Sequence, residues 1–167
     1  GRTDGMSAEP TSVHLDVDGG ALHALRWGHG PRVAVALHGI TANAMSWRRV
    51  AALLPDDWSL VALDQRGRGR SRDLPGPYAV EDLSRDAAAA VTATGAEVLV
   101  GHSLGAYVAV AVAHDHPGVA RRIVLVDGGI AIPVPVPASD EEADALVVAA
   151  LGPMLERLGR DFARDEY

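Results

Sequence analysis

Val98-Leu99-Val100-Gly101-His102-Ser103-Leu104-Gly105-Ala106-Tyr107 is the stretch on which the reading of this chain turns: an apolar run breaks at Gly-His-Ser-Leu-Gly and resumes as a small-residue helical pattern. A strand that runs into a sharp, glycine-flanked turn and leaves it as a helix holds a serine hydroxyl clear of the backbone, with main-chain donors beside it. The pentapeptide alone is a weak signal. Its neighbours in the chain have to carry the argument.

Working outward from it, strand and helix patterns alternate. Before it, Arg32–Leu37 (RVAVAL) and Trp58–Leu63 (WSLVAL) are short continuous apolar runs, as expected of strands buried on both faces. Between them, Asn43–Leu54 carries Met45, Trp47, Val50, Ala51 and Leu54 near helical spacing and is closed by Pro55. Glu81–Ala93 reads as a helix stopped by Gly95, and Ala96–Val100 as the strand leading to Ser103. Leu104–His114 then reads as a helix ended by Pro117-Gly118, and Arg122–Val126 as a further strand. At the N-terminal side, Ser12–Val17 and Ala21–Trp27 alternate apolar and polar residues around Asp18-Gly19-Gly20, the pattern of a β-hairpin. Strands alternating with helices from residue 32 to residue 126 predict a mostly parallel, doubly wound α/β sheet with an antiparallel N-terminal hairpin.

Composition narrows the function classes. The chain has 167 residues, 48% of them hydrophobic, which suits one globular domain with a real core. Its net charge is −7, and all fifteen basic residues are arginines scattered through the sequence. No basic stripe is present for nucleic acid or anionic lipid, so neither is expected as a partner. The longest uncharged stretch, Val98 to Ala113, contains Gly, His and Ser and falls short of the about 20 apolar residues of a membrane span. With no cysteine, disulfides and thiolate metal sites are excluded. Residues 1–10 read as a disordered tail or tag remnant without the features of a secretory signal, and a cytoplasmic, bacterial protein is expected.

Four features in order make the chain resemble the N-terminal portion of the α/β-hydrolase fold superfamily, over roughly residues 12 to 130. They are His38-Gly39 at the end of a buried strand, the loop Asp64-Gln65-Arg66-Gly67-Arg68-Gly69-Arg70-Ser71, the Gly101-His102-Ser103-Leu104-Gly105 elbow, and Val124-Leu125-Val126-Asp127 at a strand end. The resemblance implies a serine hydrolase acting on a small ester, lactone or related carbonyl compound through an acyl-enzyme, with no cofactor. Serine at the elbow argues against the related dehalogenases and epoxide hydrolases, which carry aspartate there.

Ser103 is the candidate nucleophile, and helix N-cap is its bland alternative. The Leu104 N–H, at the start of a helix, is the first candidate oxyanion donor. The second, implied by the resemblance, is the Ile40 N–H after His38-Gly39. His38 is either a pocket-lining donor or the residue that holds this loop by hydrogen bonding. His102 is expected to pack or line the pocket, since side chains adjacent on an elbow diverge. Trp47 and Tyr107 are expected as core or pocket wall. Arg66 is expected to be tied into local structure, the rest of the Arg66–Arg72 loop to be solvated charge. His114 and His116, at i and i+2, do not share a helical face, and no metal site is expected.

In the family the triad runs Ser, then Asp or Glu, then His. Asp127 is a candidate acid, or simply a turn residue before Gly128-Gly129. None of the seven histidines follows Asp127. The organisation expected is therefore residues 1–10 as tail, 11–130 as the N-terminal part of the hydrolase core, and 131–167 as linker and the start of a helical cap, with the family's C-terminal strands absent from these residues. The linker is Ala-Ile-Pro-Val-Pro-Val-Pro; Ser139-Asp140-Glu141-Glu142 has the form of a capping box opening a helix to about Leu151, and Met154–Glu166 reads as a second helix. The histidine, and the acid with it, would come from a C-terminal part of the hydrolase that is either missing from these residues or a separate second chain. The alternative is a catalytically silent module that binds a partner chain through its sheet edge and cap helices.

Overall fold

The computed structural model describes residues 9–130 and, beyond them, 139–142, 144, 145 and 149. Six strands, β1 (Thr11–Val17), β2 (Gly20–Trp27), β3 (Arg32–Leu37), β4 (Trp58–Leu63), β5 (Val98–His102) and β6 (Arg122–Val126), form one sheet in the order β1-β2-β4-β3-β5-β6. Among the described residues up to 130, three α-helices accompany them: α1 (Arg48–Ala51), α2 (Val80–Thr94) and α3 (Leu104–Asp115). β1 pairs antiparallel with β2 and β2 with β4, whereas β3, β4, β5 and β6 run parallel. This is the mixed α/β sheet expected, parallel in its centre with its antiparallel part at the N-terminal hairpin.

The pleat divides each central strand between two cores. Val33, Val35 and Leu37 of β3 face α2 and α3, where Leu83, Ala87, Val91, Val108 and Val112 cover them. Ala34 and Ala36 face the other way, onto a smaller cluster with Trp27, Leu60, Ala44 and Trp47. A strand buried on both faces reads as continuous apolar sequence, and RVAVAL and WSLVAL are such strands. Gly95, with φ 66°, supplies the left-handed residue that ends α2.

One predicted helix is much reduced. Asn43–Leu54 is a 3-10 turn over Ala44–Trp47, capped by Asn43 Oδ1 accepting the Met45 N–H, followed by the four residues of α1. Only Ala44 and Trp47 of this stretch are fully buried, while Met45, Val50 and Leu53 are exposed. Their helical spacing does not become a buried face because the Asn43 cap commits the chain to the tighter turn.

At the far edge, β6 pairs only with β5 among the described residues. Ile123 and Leu125 pack on the α2–α3 side, and Val124 and Val126 on the opposite face stay exposed. Residues from 132 onward form a separate compact unit. Within it Asp140–Glu142 is helical, and Ser139 Oγ accepts the Glu142 N–H as a capping residue should. The linker (131–138), the second helix and most of the expected tail lie outside the described residues.

Candidate active site

β5 ends at His102, α3 begins at Leu104, and the single residue between them takes φ 51°, ψ −116°. Ser103 is thus held in left-handed backbone at the turn, its N–H donated to the Val126 carbonyl of β6 (3.0 Å) and its carbonyl accepting the Ala106 N–H (2.9 Å). Ser103 stands at the N-cap position of α3, but its side chain makes no capping hydrogen bond. Two glycines permit so tight a turn by close approach. A Cβ on Gly101 would lie 2.0 Å from the Gly105 carbonyl oxygen, and a Cβ on Gly105 would lie 2.3 Å from the Leu37 carbonyl oxygen. The start of α3 therefore sits directly against the end of β3.

The loop after β3 comes to the same place. Gly39 lies against the elbow: a Cβ there would be 3.5 Å from Ser103 Cβ and 3.4 Å from His102 Nδ1. Between Gly39 and Ile40 the peptide is held by its oxygen, which accepts from His38 Nδ1–H (2.7 Å) and from the Ala42 N–H (3.1 Å). In a trans peptide the N–H points away from the C=O, so the Ile40 N–H faces away from His38. Among the described residues neither the Ile40 N–H nor the Leu104 N–H donates to a protein acceptor. Ser103 Oγ likewise hydrogen-bonds no described side chain, histidines included.

His38 does not line a pocket. It is fully buried, with Nε2 accepting the Gln65 N–H (3.1 Å) while the Gln65 side-chain amide donates to its carbonyl (2.7 Å). With Nε2 an acceptor and Nδ1 a donor, the imidazole is the neutral Nδ1–H tautomer. Burial is the main influence pushing its pKa below the ordinary 6.5, helped by the charge of Arg68 and opposed by the Gly39 carbonyl and Asp64. The unfolded chain then binds more protons at this site than the fold does, so stability falls as pH drops below about 6.5 and is unaffected above it. Denaturation midpoints measured from pH 7 to pH 5 are expected to decline, with a shallower slope in His38→Asn; an unchanged slope would count against the buried neutral form.

Asp64 ties four segments together behind the loop. Oδ1 accepts the Ala44 N–H (2.8 Å), and Oδ2 accepts the Arg70 N–H (3.0 Å) and His23 Nδ1–H (2.7 Å). His23 Nε2 in turn lies 3.0 Å from Ser12 Oγ. This hub was missed in the sequence, where His23 is one alternating residue of a hairpin strand. Arg66 is tied in as expected, through a two-pronged pair with Asp86 (Nε and Nη2 each 2.8 Å from a carboxylate oxygen).

The remaining expected site residues lie at the surface. His102 is exposed and not packed in the core, and its ring borders Gly39 beside Ser103, where a pocket-lining residue would stand. Tyr107 is also exposed, with its hydroxyl 3.5 Å from the Ile130 carbonyl, so it belongs to no core cluster. Asp127 is exposed and left-handed (φ 52°) ahead of two positive-φ glycines, the geometry of the turn reading, and it sits one residue beyond the Val126 carbonyl that holds Ser103. No group of His, Asp and Glu among the described residues could hold a metal ion, and no described helix is long and apolar enough to cross a membrane.

A family model described as alpha/beta hydrolase fold matches residues 35–164. A 2-(acetamidomethylene)succinate hydrolase of Mesorhizobium japonicum is 33% identical over 129 residues, covering 73% of this chain and 46% of the relative. An N-formylmaleamate deformylase of Pseudomonas putida is 34% identical over 132 residues, with 77% and 49% covered. Among solved structures, an N-formylmaleamic acid deformylase from Pseudomonas putida S16 aligns with a TM-score of 0.66 at 27% identity, over 83% of this chain and 56% of that one. The chain spans about half the length of the curated relatives it matches.

Proposed function

Because the chain belongs to the alpha/beta hydrolase fold family, we propose that it is the nucleophile-bearing part of a serine hydrolase acting on a small ester, lactone or related carbonyl compound. The observation that carries this reading is the left-handed Ser103 between β5 and α3, unengaged at Oγ, with two unengaged backbone N–H groups on the adjoining segments. Two relatives are named for hydrolysing N-acyl compounds of succinate and maleamate, so amides join esters and lactones in the substrate class.

In this reading Ser103 Oγ attacks the carbonyl carbon while its proton passes to a histidine. The carbonyl oxygen becomes an oxyanion and takes hydrogen bonds from the Leu104 and Ile40 N–H groups, each worth about 3 kcal/mol in the transition state. Collapse expels the alcohol or amine, which receives the proton from the histidine, and water then hydrolyses the Ser103 ester through the same base. The histidine, and the acid that orients it, come from the C-terminal part of the hydrolase, since no described histidine reaches Ser103. In this reading Asp127 serves the turn before Gly128-Gly129, which its exposure and positive φ support, and the acid lies elsewhere.

A fluorophosphonate tests the reading directly. Peptide mapping of the treated protein, in the presence of the histidine-bearing part, is expected to place a single adduct on Ser103, and Ser103→Ala to abolish it. Absence of the adduct sinks the hydrolase reading. It would favour the alternative of a silent module binding a partner chain, for which the β6 edge, unpaired on its outer side among the described residues, and the exposed Val124 and Val126 are the supporting observations.

A further inference from the structure

We propose that Arg68 is a positioning residue for the oxyanion hole, a guanidinium that fixes the direction of the Ile40 N–H from the side opposite His38. This rests on the serine hydrolase reading of Ser103.

Arg68 stands between Gly67 and Gly69 in the loop expected, Arg66 apart, to be solvated charge, and it is engaged instead. Its own position is unusually well determined. The Arg68 N–H donates to the Gln65 carbonyl (2.9 Å), and its carbonyl accepts the Ser71 N–H (2.9 Å), so the backbone is fixed within a turn that Asp64 holds through the Arg70 N–H. From this base the side chain reaches across to the other loop. Nε–H donates to the Ile40 carbonyl (3.0 Å) and Nη1–H to the Arg66 carbonyl (3.1 Å). No carboxylate pairs with it among the described residues, so nothing else anchors its charge.

The two peptides that flank Ile40 are consequently held by two different side chains. His38 and the Ala42 N–H grip the Gly39 oxygen, and Arg68 grips the Ile40 oxygen. A single peptide anchored on one side retains freedom to rock about the neighbouring bonds; anchoring both removes it. Ile40 has no other restraint of this kind, since its own side chain is largely exposed (58%) and contributes little packing. The planar fork suits the task, because its Nε and Nη1 donors serve two carbonyls with one rigid group. Burial keeps the His38 imidazole neutral and the Arg68 charge adds to that, which leaves Nε2 free to accept the Gln65 N–H while Nδ1–H stays on the Gly39 oxygen. A donor aimed in advance costs no reorganisation when the oxyanion forms, and a misaimed one loses much of its value.

The test compares Arg68→Met, Arg68→Lys and the exposed loop control Arg72→Met in the acylation-competent protein, with paired p-nitrophenyl esters of a neutral and a carboxylate-bearing acid. Arg68→Met is expected to lower kcat on the order of tenfold for both esters with KM within about twofold, since both share the oxyanion. Arg68→Lys, able to reach one carbonyl, falls between, and Arg72→Met matches the parent. Independently of turnover, amide hydrogen exchange at residues 40–42 is expected to quicken in Arg68→Met with the rest of the sheet unchanged. Unaltered exchange in that loop overturns the proposal. So does a KM rise confined to the carboxylate-bearing ester, which would make Arg68 a substrate-binding group. If the parent protein never acylates Ser103, the hydrolase reading fails by itself, and the exchange measurement still decides whether Arg68 holds the loop.

Discussion

Gly105→Ala is expected to destabilise the fold by about 3 kcal/mol or more and to remove Ser103 reactivity with it. The added methyl would meet the Leu37 carbonyl oxygen at 2.3 Å and its carbon at 2.7 Å. Those atoms are backbone of the central strand β3, paired on both sides by β4 and β5, and cannot step aside as a side-chain end could. Relief comes only if α3 lifts from the sheet. Such a shift carries the Leu104 N–H away from Ser103 and uncovers Val108 and Val112, which α3 buries against β3 and β5. Denaturant midpoints would register the first effect and fluorophosphonate labelling the second. Near-parental stability with full labelling would show that the helix start is not held where it is described.

The second large effect is expected at Arg66. Arg66→Met leaves the Asp86 carboxylate buried without a counter-charge, and also deprives the Asp18 and Pro75 carbonyls of their donor. Both side chains of the pair are nearly inaccessible, at 7% and 6%. Removing one member of such a pair is expected to lower stability by about 3–5 kcal/mol, whereas an apolar replacement of both, Arg66→Met with Asp86→Leu, recovers most of the loss. Equilibrium unfolding of the three variants checks this. A cost below about 1 kcal/mol for the single variant would place the pair in the class of exposed bridges.

The contrast between these two sites shows what was legible beforehand. Gly105 is readable because its constraint is local: strand, turn and helix follow one another in ten residues, and the apolar run ahead of Gly101 announces a buried strand. Arg66 was read only as tied into local structure, because its partner stands 20 residues away on α2, where an aspartate looks like one more polar position on a helix. Asp64 and His23 are 41 residues apart and meet only because β2 lies beside β4 in the sheet, an order the alternation of elements does not specify. Periodicity misled at Asn43–Leu54, where Met45 and Val50 are spaced as a helical stripe, yet the turn at Asn43 exposes them. Apolar spacing reports what could be buried, and the sheet decides what is.

Ser103 is one of two non-glycine residues in the described chain with positive φ, and backbone of that kind costs on the order of 1–3 kcal/mol for a residue with a Cβ. Glycine would occupy the same turn with less strain. On the proposed hydrolase reading, the Ser103 hydroxyl is held at this turn at a cost in folding stability that glycine would avoid, so Ser103→Gly is expected to stabilise the fold while losing the fluorophosphonate adduct.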